Sequence, residues 1–261
     1  MTEHRDVVFV GGTPFSGVEA AANLLADRQG ATPVPLAAHF HSDPWGVPAL
    51  LHGRIGLADF AERLRELEIA ERISSERLDG ALEKLRAGYH ADPLQSCREL
   101  FWTLIGALVP DPGDGPLVEA SPGNLAEGQT LMRLVPEARF VHVVRDGRDV
   151  AAAAIGSGAV GASRLVGAVE WWAGELRVIE RGVRGEEDGT RYGVPQERLT
   201  VVVLDELEPP PTDPEPGAWR SQVHGPARWW ASRRYDQTLG ELEAEGNHAV
   251  PALRAAYERL G

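Results

Sequence analysis

Arg139-Phe140-Val141-His142-Val143-Val144 runs without a break into Arg145-Asp146-Gly147-Arg148-Asp149-Val150 and then into an alanine-rich stretch. The first six residues are rich in valine and phenylalanine, the composition of a buried strand. Asp146 and Asp149 then suit a helix start, where carboxylates meet free backbone N–H groups. A strand that passes straight into a helix is the repeating unit of an α/β protein with a mostly parallel sheet.

Reading outward, Val7-Val8-Phe9-Val10 ends in Gly11-Gly12, a strand entering a turn. Ser16-Gly17-Val18-Glu19 then opens a helical pattern. Pro33 to Phe40 reads as extended. Pro116-Leu117-Val118-Glu119 and Leu199-Thr200-Val201-Val202-Val203-Leu204 read as further strands, and a helix surrounds Trp171 and Trp172. The four tryptophans Trp171, Trp172, Trp229 and Trp230 are expected in the core. Residues 57–105 keep a helical period with weak strand signals, which implies a helical insert. The expected fold is therefore a three-layer α/β/α domain with a central parallel sheet and that insert, all in one domain over residues 1–261. Two stretches read as loops: the acidic Gly185-Glu186-Glu187-Asp188-Gly189, and residues 208–217, whose five prolines exclude a helix or central strand.

Composition narrows the function classes. The formal net charge of -13 argues against general nucleic-acid binding, which needs a basic stripe. No apolar run is long enough to span a membrane, and the polar start Met1 to Asp6 does not read as a secretory signal. A cytoplasmic location is the expectation. The single cysteine, Cys97, excludes an internal disulfide and a multi-cysteine metal site. Lys84 is the only lysine, so cationic roles fall to arginine and histidine.

The turn Gly11-Gly12-Thr13-Pro14-Phe15-Ser16-Gly17 lies between a strand and a helix, where backbone donors and the helix dipole favour an anion. It is not a kinase-type phosphate loop, which needs G-K-[ST]. Nor is it a nucleophile elbow, because Pro14 and Val18 stand where glycines are required. A serine hydrolase using Ser16 is thus a poor reading. Ser16-x-x-Glu19 also has the spacing of a capping box. Two readings of this turn stand side by side, an anion cradle and a self-capped helix that binds nothing.

The sequence resembles the sulfotransferases that use PAPS (3′-phosphoadenosine-5′-phosphosulfate). Their 5′-phosphosulfate loop, G-x-x-[RK]-S-G-T-[TS], is matched at Gly12, Ser16 and Gly17. It is not matched at Phe15, Val18 and Glu19, where that family has a basic residue and two small hydroxyl residues. Arg145 to Val150 resembles the family's 3′-phosphate motif R-[DN]-[GP]-[RK]-D-V. The resemblance makes Arg145 the 3′-phosphate ligand, but the family's serine eight residues later is Ala153 here, with Ser157 out of register. Further matches are His39 to Pro44, Leu50 to Arg54, Phe60 to Leu64, Val118 to Asn124 (VEASPGN), Leu131 to Phe140 (LMRLVPEARF) and Leu199 to Leu207. They fall in order over residues 5 to 207, as in a bacterial subgroup of the family. Gly225-Pro226-Ala227-Arg228-Trp229 resembles a terminal loop that covers the nucleotide, which makes Arg228 a candidate ligand.

The resemblance implies PAPS as donor, with PAP (the desulfonated nucleotide) as product, a small-molecule hydroxyl as acceptor, and no metal. Gly12, Thr13, Pro14, Phe15, Ser16, Gly17 and Val18 would line the phosphosulfate. A hydroxyl acceptor needs a base, and Glu119, His41 and His39 all follow expected strand ends. The alternative is a chain of this fold that has lost PAPS. It would act as a binding protein or run another small-molecule reaction.

Overall fold

A computed structural model of the chain describes residues 5–162, 164–185, 193–207 and 217–260. The acidic stretch after Gly185 and residues 208–216 of the proline-rich stretch lie outside them. The sequence alternates β1 (Val7–Gly12), α1 (Val18–Gln29) and β2 (Thr32–Pro33), then a 3-10 turn (Leu36–His41). A helical run follows: α2 (Val47–Leu51), α3 (Leu57–Glu66), α4 (Ile69–Arg72), α5 (Ser75–Tyr89) and α6 (Pro93–Leu108). Next come β3 (Leu117–Ala120), α7 (Gly128–Leu134), β4 (Arg139–Val144), α8 (Gly147–Ser157), α9 (Leu165–Arg184) and β5 (Leu199–Val203). The chain finishes with α10 (Trp219–Gln222), α11 (Pro226–Ala244) and α12 (Val250–Leu260).

The five strands form one parallel sheet in the order β2-β3-β1-β4-β5. β1 lies at the centre, and the order reverses across it. Such a point opens a crevice at the C-terminal strand ends, where α/β proteins bind ligands. Alternation along β1 builds the two faces. Val7 and Phe9 join Phe40, Phe101 and Phe140 in the core under the helical insert. Val8 and Val10 face α1 with Val18, Ala21 and Ala22. Fully burying a side chain such as Phe9 contributes about 2 kcal/mol. α9 carries Leu165, Ala168, Val169, Trp172, Leu176 and Ile179 on one buried stripe at helical spacing. Most of that stripe packs with α8, α11 and α12 in a further core.

The structure departs from the sequence reading at two places in this frame. β2 is only Thr32–Pro33, so Pro33 alone of the Pro33–Phe40 stretch belongs to it; Leu36 to His41 winds into a 3-10 turn instead. Pro33 and Pro35 supply no N–H to a ladder, which ends the strand early. The tryptophans also divide. Trp172 is buried, whereas Trp229 and Trp230 stand exposed on the first turn of α11.

His142 brings a polar ring into the interior of β4. Its Nδ1 lies 2.8 Å from His248 Nε2, and His248 Nδ1 lies 2.5 Å from Glu180 Oε2. Burial, reinforced by His248, holds the His142 imidazole well below the usual histidine range. The unfolded chain takes up that proton near its ordinary pKa of about 6.5. Stability from this group is therefore whole above about pH 6.5 and is lost as the pH falls. Urea melts should lose up to about 1.4 kcal/mol per pH unit in that window. His142→Leu should flatten this slope, and an unchanged slope in the variant would contradict the assignment.

Candidate active site

The β1–α1 turn is shaped by two glycines. A Cβ on Gly12 would lie 2.4 Å from the Val143 carbonyl oxygen and 2.6 Å from Ser16 Oγ. Gly17 has φ +79°, and a Cβ there would strike Leu204. Gly17 is also the residue that caps α1, with no side-chain hydrogen bond at the cap. The expected Ser16–Glu19 capping box therefore does not form. Because Gly17 takes the left-handed conformation, the helix starts one residue later than that box needs, and Glu19 turns to solvent. Ser16 is left fully buried, and its hydroxyl has no hydrogen-bond partner. An unmade hydroxyl in such a place costs about 1–3 kcal/mol, which an anion at the turn would offset. Thr13 is buried, and Pro14 and Gly17 are half-buried beside it. Phe15 sits at φ +65° with 36% of its surface exposed, edge-on to Trp171 with ring centroids 6.5 Å apart. Its ring thus leans on α9 rather than filling the turn. Val18 packs into the core.

The β4–α8 turn is built from charges. Asp146 caps α8 by accepting from the Arg148 N–H at 2.8 Å. Arg148 is held by Asp146 and stacks within 4.7 Å of the ring centres of Trp219, Tyr235 and Tyr257. It is a buried structural residue. Asp149 accepts from the N–H groups of Gly217 and Trp219, tying α10 to the start of α8. Arg145 is 1% exposed and lies 3.4 Å from Asp205 Oδ1. Burial raises the Asp205 pKa, Asp149 and Asp146 add to the rise, and Arg145 opposes it. Ala153 offers no donor here, and Ser157 bonds to its own helix at the Ala154 carbonyl. The place expected for a 3′-phosphate thus holds the Asp205 carboxylate against Arg145.

At the C-terminal end of β3, Glu119, Ser121, Asn124, His41 and His39 form one network. Glu119 Oε2 lies 3.0 Å from His41 Nε2 and accepts from Asn124 Nδ2 at 2.5 Å. Glu119 Oε1 accepts from Ser121 Oγ at 2.6 Å, and Ser121 Oγ lies 3.0 Å from His39 Nδ1. Asn124 Nδ2 also donates to the Val10 carbonyl, which fixes the network to β1. Burial alone would push the Glu119 carboxyl up. The charge and hydrogen bond of His41, with the bonds from Ser121 and Asn124, outweigh it and hold the carboxyl below its usual range. Glu119 and His41 are both closed off from solvent, whereas His39 is half-buried.

A family model described as "Sulfotransferase family" matches residues 7–206, more than half of the chain and all of the elements just described except α10 to α12. The chain belongs to the sulfotransferase family. No curated protein matches it significantly. Among solved structures, it is similar to a sulfotransferase from Alicyclobacillus acidocaldarius at 15% identity and a TM-score of 0.46, covering 96% of this chain and 99% of that one. It is also similar to the sulfotransferase domain of the Synechococcus PCC 7002 olefin synthase at 15% identity and a TM-score of 0.42, covering 80% and 71%.

The remaining expected residues of this sulfotransferase-family chain lie apart from the network. Arg228 is exposed in the first turn of α11, and its Nη2 donates to the Arg220 carbonyl at 2.6 Å. Lys84 is exposed on α5. Among the described residues, no group of three or more His, Cys, Asp or Glu is placed to hold a metal ion, and no helix is long and apolar enough to cross a membrane. Ser121, Asn124 and Asp205 are site residues that the sequence reading did not single out. Ser121 and Asn124 fall within the VEASPGN segment, two and five residues after Glu119, so a search for polar partners of that carboxylate would have found them.

Proposed function

We propose that the protein transfers a sulfuryl group from PAPS to a hydroxyl of a small-molecule acceptor. The observation that carries this reading is Ser16, whose buried, unpartnered hydroxyl precedes the start of α1, which has no side-chain cap, in the turn after the central strand. On this reading, residues Thr13 to Gly17 cradle the 5′-phosphosulfate, with the Ser16 hydroxyl as a donor, and Arg145 meets the 3′-phosphate. His39 is the base, because Glu119 and His41 are sealed from the acceptor. As the acceptor oxygen bonds to sulfur, its proton passes to His39 Nε2. The bond from sulfur to the bridging oxygen breaks, and its electron pair leaves with the nucleotide phosphate. Phe15 offers no positive charge to that oxygen. Losing one such contact costs about 3 kcal/mol, so turnover is slow for this chemistry.

One observation favours a second reading. Asp205 holds Arg145 where the 3′-phosphate would bind, and Ala153 supplies no second ligand. A chain in which that pair persists would not take PAPS, and would bind another small molecule or a partner instead. Incubation with 35S-labelled PAPS and a panel of phenols and aliphatic alcohols tests the choice. The first reading expects label on an acceptor, and expects Ser16→Ala to weaken transfer. Absence of transfer across the panel, from folded protein that also binds no PAP, supports the second.

A further inference from the structure

The contacts around Ser121 fix the position of a proton. A serine hydroxyl has one proton to donate. Glu119 is held as a carboxylate, so both of its oxygens accept. The 2.6 Å contact from Ser121 Oγ to Glu119 Oε1 therefore uses the serine proton. Ser121 Oγ can then only accept in its 3.0 Å contact with His39 Nδ1. The imidazole must donate there, which makes neutral His39 the Nδ1–H tautomer and leaves the lone pair on Nε2. Nε2 has no partner among the described residues.

We propose that Ser121 is a positioning residue that, anchored by Glu119, holds His39 in the Nδ1–H tautomer with Nε2 bare for the acceptor proton. The tautomer follows from these contacts with Glu119 ionised. Its use in transfer rests on the function proposed above.

The other carboxylate oxygen supplies an isosteric test. Glu119 Oε2 takes contacts from both His41 Nε2 and Asn124 Nδ2, and Asn124 is itself tied to Val10. In Glu119→Gln the amide oxygen stays on that side, because both neighbours can donate to it. The amide NH2 group then faces Ser121 and donates to its oxygen. The serine proton turns to His39 Nδ1, and His39 must carry its own proton on Nε2. One exchange of oxygen for nitrogen, buried and away from the acceptor, thus reverses the tautomer of a neighbouring histidine.

Long-range 1H–15N spectra of the imidazoles, recorded without substrate at about pH 8, where histidine is neutral, read this directly. His39→Gln assigns the signal. The wild type is expected to show His39 as Nδ1–H, Glu119→Gln as Nε2–H, and Ser121→Ala as a mixture. Ser121→Thr keeps a hydroxyl and should restore Nδ1–H. Should Glu119→Gln not fold, Ser121→Ala and Ser121→Thr carry the comparison. An Nε2–H wild type, or a tautomer that neither variant moves, overturns the proposal. In the transfer assay, Glu119→Gln and Ser121→Ala should lower kcat by about 10²-fold with KM little changed, and Ser121→Thr should recover most of it. Reversed tautomers without transfer in any variant would leave the positioning intact and count against the sulfuryl-transfer reading. Unmoved tautomers would overturn the positioning whatever the transfer rates.

Discussion

His39→Gln should lower kcat for sulfuryl transfer by 10²- to 10⁴-fold, roughly what a positioned general base supplies. The measurement is label transfer from 35S-PAPS to whichever alcohol the panel identifies, at saturating donor. KM for the acceptor should change little, because the imidazole acts on a proton that moves only in the transition state. The deficit should also shrink as the pH rises, since deprotonated acceptor forms without a base. His39 stands out from the three expected candidates through its surroundings rather than its residue type. His41 Nε2 and the Glu119 carboxylate are engaged with each other, Asn124 and Ser121, and His41 Nδ1, though without a partner, is buried under the core. His39 spends one ring nitrogen on Ser121 and keeps the other. Equal loss in His39→Gln at all pH values, with KM raised as much as kcat falls, would give His39 a binding role instead.

Glu119→Ala should be the most destabilising single change at the site, by about 3 kcal/mol or more. It removes the acceptor shared by His41, Ser121 and Asn124, which are all buried. Each loses a charged acceptor in a place water does not reach, and keeps only a neutral contact: His41 Nε2 with Asn124 Oδ1, Asn124 Nδ2 with the Val10 carbonyl, and Ser121 Oγ with His39 Nδ1. Urea unfolding measures the loss as a lower midpoint at unchanged slope. Glu119→Gln should lose less, because it keeps the shape and an acceptor on the His41 side. The pH dependence has a definite sign. The folded Glu119 carboxyl lies below its ordinary value of about 4.3, so its contribution is whole above that pH and fades as the pH falls through the folded value. Glu119→Gln should lose this acid-side slope. A Glu119→Ala protein as stable as the wild type would mean that the network does not hold the β3 end in place.

The strands of this fold were legible because β1, β3, β4 and the expected β5 are short apolar runs, as central parallel strands must be. β2 was not, because Val34, Leu36 and Phe40 look extended in composition while Pro33 and Pro35 end the pairing. The turn after β1 was legible as an anion site but not in its details. The same four letters, Ser16 to Glu19, fit a capping box until the backbone of Gly17 is known to be left-handed. The direction of Phe15 also depends on a positive φ, which its residue type disfavours. The histidines at 39 and 41 were found by type and place. Their division into one buried and one half-open ring follows from the 3-10 turn, and from Ser121 and Asn124, some eighty residues away in the sequence. Asp205 against Arg145 was the least legible contact. It joins the ends of two neighbouring strands, β4 and β5, and neither local pattern calls for the other.

The account stands most directly on one titration: PAP and, separately, adenosine 5′-phosphate injected into the folded protein in a calorimeter. Sulfuryl transfer from PAPS predicts saturable heat with PAP. It also predicts that Arg145→Lys weakens PAP but leaves adenosine 5′-phosphate nearly unchanged, since only PAP carries the 3′-phosphate. No heat from PAP at about 1 mM, a concentration that would reveal even a free energy near −4 kcal/mol, would contradict it and leave Asp205 as the permanent partner of Arg145.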